Sequence, residues 1–399
     1  MANAFYSIEL RFIRTMLRKR CNNLEAKMSL VDWKRIVIKV GSALIAPNQN
    51  GCSSHFLLGI AQFIVRCKSM GIEVVLVSSG SVAAGSHLFA DDEEMSSKKT
   101  TAVKKAMAAA GQTEMMATWD RLFDFPTAQI LVTHGDLRDR ERYVSIKETI
   151  FSLLDHGILP ILNENDTVTT DKLKVGDNDN LSAMVAAAAD ADTLIICSDV
   201  DGLYDSNPHE NPNAQLLSSV PIINDQIIAM AGDATSAVGT GGMKTKIQAA
   251  KKAVAHGIDT YIINGFTEQS FNSLLAGNNP GTHFSPDKTP MKEHLHWMTH
   301  TSTAQGEVVV ENDFNHGLVN DSELLTSGEI IAVNGNFSEG DTILVRKDNG
   351  IKLAKARSNY SSCLLSFIAE QEQQVFAGTL QDTTGPIISD NNIALLEEK

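Results

Sequence analysis

Between Arg35 and Ile263 the sequence repeats one unit: a short apolar run stops at a glycine or polar cluster and gives way to a helical pattern. The run from Arg35 to Val40 ends at Gly41-Ser42, and Ile72 to Val77 ends at Ser78-Ser79-Gly80. Ile158 to Leu162 ends at Asn163-Glu164-Asn165-Asp166, Thr193 to Cys197 ends at Ser198-Asp199, and further runs occupy 128–133 and 259–263. Helical spacing fills the intervals at Leu57 to Met70, Lys98 to Asp124 (broken near Gly111), Tyr143 to Asp155, Leu181 to Ala191, and from the Gly239–Gly242 cluster to His256. Strands without polar alternation are covered on both faces. The pattern therefore predicts an α/β fold with a largely parallel sheet sandwiched by helices.

A chain of 399 residues exceeds one ordinary core. After Pro280 the pattern changes, which predicts an α/β domain at 34–285 and a connector at 286–304, where Pro286 and Pro290 interrupt a stretch with no periodicity. A small β-rich domain follows at 305–399, with strands at Glu307 to Val310, Glu329 to Val333, Thr342 to Val345 and Gly385 to Ile388. Residues 1–33 read as a dispensable extension. Its basic and apolar residues between Ala4 and Arg20 fit a targeting helix less well than a leader ahead of a start at Met28.

Five cysteines without a C-x-x-C pair argue against a disulfide framework and fit a reducing, cytoplasmic setting. No apolar run reaches the length of about 18 residues that a membrane span needs. A formal net charge of −14 disfavours nonspecific binding to nucleic acid or anionic membranes.

The densest chemistry lies in Lys174-Val-Gly-Asp177-Asn178-Asp179-Asn180-Leu-Ser182, between the strand ending in Asn163-Glu164-Asn165-Asp166 and an alanine-rich helix. Ligands of open α/β sheets sit at such strand C-termini, and neighbouring carboxylates require cations. Lys39, at the end of a buried strand, and Lys246, just past the Gly239–Gly242 cluster, are candidates. Glycine turns and helix N-termini offer N–H groups to phosphates, and lysines add charge. No Walker loop is present, because Ser86 stands where one would need lysine. A calcium loop starting at Asp177 lacks its glycine and its final glutamate. Ser79 lacks a nucleophile-elbow context, and His294 and His296 lack further metal ligands.

Together these segments resemble the amino acid kinase family, and within it the bacterial members that act on L-glutamate, from about Lys34 to near the C-terminus. The resemblance rests on Ile36-Val-Ile-Lys39-Val-Gly41-Ser42, Val77 to Gly85, Asp139 to Arg142, Pro160 to Asp166, Lys174 to Ser182, Asp201 to Tyr204 and Gly239 to Lys246. It implies transfer of the γ-phosphoryl group of ATP, with magnesium, to the side-chain carboxylate of L-glutamate, the first step of proline biosynthesis. It implies that Lys39 and Lys246 stabilise the transferring phosphoryl group and that Asp179 holds both. Ser79, Asp166 and Asn178 would bind glutamate. Lys39, Gly41, Ser198, Asp199, Thr240, Gly241, Gly242, Met243, Lys244, Thr245 and Lys246 would line the nucleotide site, Gly80 joining Gly41 in letting the backbone approach phosphate. No metal ligands are assigned.

Feedback inhibition by proline and homo-oligomer formation are further implications, and the tail resembles a PUA domain. PUA domains elsewhere bind RNA, yet residues 304–399 carry six lysines and arginines against fifteen aspartates and glutamates, so RNA binding is not expected here. Ala43, Ser198, the segment around His134 and Ser145-Ile146-Lys147 depart from common forms of the family. N-acetylglutamate or uridylate phosphorylation, or a non-catalytic regulatory role, are the competing readings.

Overall fold

The structure is a computed structural model that describes residues 31–48, 50–89, 100–169, 177–208, 210–231, 242–314, 325, 329–373 and 386–396. The leader through residue 30, Lys174 to Gly176, Thr240, Gly241 and Gly385 lie outside the described residues. The chain forms two compact units. One comprises residues up to Asp136 together with Tyr143–Pro290; the other comprises Leu137–Arg142 and Met291–Lys399.

In the first unit β1 (Arg35–Val40), β2 (Glu73–Ser78), β3 (Thr127–Val132), β4 (Leu159–Glu164), β5 (Thr193–Ser198), β6 (Ser219–Val220), β7 (Asp259–Asn264) and β8 (Thr282–Phe284) form one sheet. Their order is β3-β4-β2-β1-β5-β7-β8-β6. Pairing is parallel from β3 across to β7, and β8 runs antiparallel to β7. The expected sheet class is thus observed. The chain runs from β1 to its neighbour β2, crosses to β3 at the edge, comes back to fill the gap with β4, then returns to place β5 on the other side of β1. That reversal makes the C-terminal ends of β2, β1 and β5 a topological switch point, where a crevice opens.

The strand pleat divides β1. Ile36, Ile38 and Val40 pack with Leu57, Ile60, Phe63 and Ile64 of helix Leu57–Ser69 and with Met115 and Trp119 of helix Thr101–Asp120. Lys39 alternates with them and falls on the opposite face, toward helix Asn178–Ala188. Every residue of that helix is buried. It starts before the apolar spacing does, because the Asp177 side chain caps it by accepting from Asn180 N at 3.3 Å.

Gly111 does not break its helix, which runs unbroken from Thr101 to Asp120. A Cβ at Gly111 would collide with the Ser81 carbonyl oxygen and the Gly85 nitrogen, so the glycine lets helix Ser81–Gly85 lie backbone to backbone against it. Trp33, placed by sequence in the dispensable extension, packs edge-on against Phe63 and Tyr261, with ring centroids 6.4 and 6.3 Å away. Residues 31–33 are therefore part of the first unit.

The second unit holds a sheet of β9 (Gly306–Val310), β10 (Ile330–Gly335), β11 (Thr342–Lys347), β12 (Lys352–Ser358) and β13 (Ile388–Leu395), ordered β10-β9-β11-β12-β13. Val308, Val310, Phe337, Ile343, Val345 and Leu365 form its core, the last from helix Ser362–Gln373. Neither that helix nor β12 was expected. In β12 the inward positions are Ala354, Ala356 and Ser358, too small to make an apolar pattern against Lys355 and Arg357.

The expected connector at 286–304 is also revised. Its residues from Met291 belong to the second unit, with helix Glu293–His296 passing into a π-helical turn, Trp297–Thr301. Trp297 and Met298 are buried, Trp297 Nε1 donates to the Leu137 carbonyl at 2.9 Å, and Lys355 Nζ donates to the Ser302 carbonyl at 2.6 Å.

Candidate active site

Asp179 lies in the first turn of helix Asn178–Ala188, only 1% exposed. Lys39 Nζ stands 2.6 Å from its Oδ1 and Lys246 Nζ 3.4 Å from its Oδ2. The Thr245 hydroxyl is 2.7 Å from the same Oδ2 and 2.8 Å from the Gly242 carbonyl oxygen, which ties the start of helix Met243–Ala255 to the carboxylate. Burial by itself would raise the Asp179 pKa. The two ammonium groups and the hydroxyl outweigh it and hold the carboxyl well below the usual range. Lys246 moves the other way: burial lowers its pKa, against the attraction of Asp179 and with the repulsion of Lys39. The result is a dry carboxylate carrying two cations, so the cluster retains positive charge beyond what Asp179 neutralises.

Next to it lies a polar network. Ser79 follows β2, its N–H donating to the Val40 carbonyl at 3.0 Å. Asn178 Nδ2 donates to Ser79 Oγ and to Asn163 Oδ1, both at 2.9 Å. Asn163 Nδ2 donates to Gln112 Oε1 at 2.8 Å, and Gln112 Nε2 to Gln129 Oε1 at 3.3 Å. Ser81 Oγ donates to Asp166 Oδ2 at 2.9 Å. Asp166 Oδ1 and Asn178 Oδ1 are buried and have no hydrogen-bond partner among the described residues. Burial pushes the Asp166 carboxyl up to about 6, helped by the charge of Glu164 and opposed by the Ser81 hydrogen bond. Asp166, Glu164, Gln112, Gln129 and Ser81 line a cavity of about 280 Å³, large enough for a small polar molecule.

The expected nucleotide residues are only partly assembled. Ser198 ends β5 and its hydroxyl donates to Asp199 Oδ1 at 3.0 Å; the Asp199 charge acts on Lys246. Gly242 caps helix Met243–Ala255; Met243 is half-buried, Lys244 exposed and Thr245 buried. Thr240 and Gly241 lie outside the described residues. Gly41 has an ordinary φ of −74°, and a Cβ there would sit 3.9 Å from Lys39 Nζ without collision. The protein itself does not require glycine at that position, so the open space beside Lys39 is what glycine preserves. Gly80 differs: its φ of +99° and a Cβ position 2.9 Å from Ile45 Cβ make glycine a demand of the turn.

Among the described residues, no three His, Cys, Asp or Glu side chains converge as a metal cage. Sequence reasoning missed Gln112, the bridging role of Thr245 and the capping role of Asp177. Gly111, a helix glycine directly before Gln112, was the available sign that this helix face meets other backbone.

A parallel switch-point sheet with a buried lysine–carboxylate–lysine cluster defines a phosphoryl-transfer fold, and the Amino acid kinase family profile matches residues 34–264. The chain belongs to the amino acid kinase family. It is 64% identical over 371 residues to glutamate 5-kinase 1 of Pseudoalteromonas translucida (strain TAC 125), covering 93% of this chain and 100% of that protein. Glutamate 5-kinase of Idiomarina loihiensis is 51% identical, covering 88% of this chain and 94% of that one. The Salinibacter ruber glutamate 5-kinase is 43% identical, with coverage of 90% and 96%.

Proposed function

We propose that this chain is a glutamate 5-kinase, transferring the γ-phosphoryl group of ATP to the side-chain carboxylate of L-glutamate to give L-glutamyl 5-phosphate and ADP, the first step of proline biosynthesis. The observation that carries the reading is the adjacency of two sets of groups. One is the Lys39–Asp179–Lys246 cluster, and the other is the pair of orphan acceptors on Asp166 and Asn178. A glutamate ammonium group would meet those acceptors, and the Ser79 hydroxyl, which already accepts from Asn178, is left to donate to a substrate carboxylate.

In the reaction a side-chain carboxylate oxygen attacks the γ-phosphorus, and the bond to the β–γ bridging oxygen breaks with its electron pair leaving on ADP. The nucleophile is already ionised, so no general base is required. Lys39 and Lys246 neutralise charge on the phosphoryl oxygens, and Asp179 fixes the two ammonium groups. Gly41, Gly80, Ser198, Asp199 and the segment from Thr240 to Lys246 border the nucleotide. Magnesium, bound with ATP, supplies further charge neutralisation.

The reading extends to feedback by L-proline, whose ammonium and carboxylate can occupy the same acceptors and donor. It also includes a homo-oligomer in the cytoplasm and a PUA-like tail that is structural or regulatory. The described residues contain no helix long and apolar enough to cross a membrane.

The test supplies ATP, magnesium and L-glutamate with hydroxylamine to trap the acyl phosphate. Glutamyl hydroxamate in step with ADP release supports the assignment. Product from N-acetylglutamate or UMP instead would transfer it to another branch of the family, and inactivity on all three would favour a regulatory homologue.

A further inference from the structure

Asn178 can turn either an oxygen or an NH2 group toward a ligand, and that choice decides what the site accepts. The choice is fixed from behind. The Glu164 backbone N–H can only donate, and it points at Asn163 from 2.8 Å, so the Asn163 atom facing it is the oxygen. The other Asn163 atom is then NH2, which needs an acceptor and finds Gln112 Oε1 at 2.8 Å. Asn178 meets the same Asn163 oxygen at 2.9 Å and must therefore spend its NH2 inward. Its own oxygen is left over, buried and, like Asp166 Oδ1, without a partner among the described residues.

We propose that Gln112 is a positioning residue that sets specificity for an ammonium-bearing substrate. By accepting from the Asn163 NH2, opposite the Glu164 N–H, it holds Asn163 in the place that leaves an oxygen on Asn178 beside that of the Asp166 carboxylate. Gln112 is 9% exposed and lines the cavity that also holds Asp166 and Glu164, at the far end of the chain of bonds from Ser79. Its own orientation follows from the Asn163 NH2, and its NH2 in turn donates to Gln129 Oε1. Without an acceptor at position 112 the buried Asn163 NH2 is stranded. Inversion of Asn163 is barred by the Glu164 N–H, so the stranded NH2 is relieved by rotation of the Asn163 side chain, which withdraws the oxygen that holds the Asn178 NH2 and frees Asn178 to turn NH2 toward the substrate ammonium.

The inference rests on the glutamate 5-kinase reading, and its test separates the two. L-Glutamate is compared with glutarate, which keeps the acceptor carboxylate but has no ammonium group. Glutarate is used as substrate or, where turnover is too slow, as a competitive inhibitor. Gln112→Met, of similar size and equally at home in a helix, removes the acceptor; Gln112→Glu keeps an oxygen facing Asn163. Gln112→Met is expected to lower kcat/KM for L-glutamate at least about tenfold, leaving glutarate and the ATP KM unchanged, so the preference for glutamate collapses. Gln112→Glu is expected to keep the wild-type preference. An unchanged preference in Gln112→Met, or equal losses with both acceptors, would overturn the role of Gln112, as would loss of preference in Gln112→Glu. Wild-type protein that phosphorylates no L-glutamate would instead overturn the reading beneath it.

Discussion

Lys39 Nζ and Asp179 Oδ1 stand 2.6 Å apart in almost complete burial, while Lys246 takes the other oxygen of the same carboxylate. Neither lysine could be held there without Asp179, and the carboxylate could not stay ionised without them. Asp179→Asn keeps the volume and removes the charge, leaving two buried ammonium groups unpaired. Breaking a buried pair costs about 3–5 kcal/mol. The variant should show a clearly lower melting temperature and kcat reduced about a hundredfold or more. An unchanged melting curve would contradict this. Because the folded pKa of Asp179 is depressed, its contribution is present above the unfolded carboxylate value of about 3.9 and is lost as pH falls through the folded value. The pair should therefore survive mild acid.

Asp166 titrates in a different window. Burial, opposed by the Ser81 hydrogen bond and helped by the charge of Glu164, raises its carboxyl to about 6, above the ordinary carboxylate range, so the charge that meets a substrate ammonium is lost as pH falls through about 6. We expect kcat/KM for L-glutamate to fall on the acid side of that value and Asp166→Asn to abolish this limb, measured by steady-state kinetics between pH 5 and 8. A pH-independent profile in the wild type would contradict the assignment.

Lys246→Ala should cut kcat by about a hundredfold or more while the KM for glutamate changes little, because the ammonium group acts on transferring charge. A large KM effect with normal kcat would place Lys246 in substrate binding instead.

Gly80→Ala and Gly41→Ala should separate turn geometry from site space. At Gly80 the left-handed φ and the close Ile45 side chain predict a loss of about 1–3 kcal/mol, seen in thermal melts. At Gly41 the backbone is ordinary, so Gly41→Ala should melt with the wild type but raise the KM for ATP. Equal destabilisation of both would contradict the distinction.

The sequence makes Lys39, Asp179 and Lys246 legible because each is a charge in an otherwise apolar or glycine-rich setting, where only a partner explains it. The parallel sheet is legible for the same reason, since uninterrupted apolar strands need cover on both faces. Gln112 and Asn163 are not, because an amide in a helix or strand gives no sign of which tertiary partner fixes its orientation. Helix Asn178–Ala188 hides its polar first turn for a related reason, as Asp177, Asn178 and Asn180 look like loop residues until their cap and network are seen. In the tail, the alanines of β12 bury too little surface to make a pattern, although they face a core.

The most direct measurement follows oxygen. L-Glutamate labelled with ¹⁸O in both side-chain carboxylate oxygens is incubated with the enzyme, ATP, magnesium and hydroxylamine, and the released phosphate is weighed by mass spectrometry. Attack by the side-chain carboxylate on the γ-phosphorus, followed by hydroxylamine at the acyl carbon, predicts one ¹⁸O in each phosphate. Phosphate without ¹⁸O would mean that water, not the glutamate carboxylate, receives the phosphoryl group, and would contradict the account.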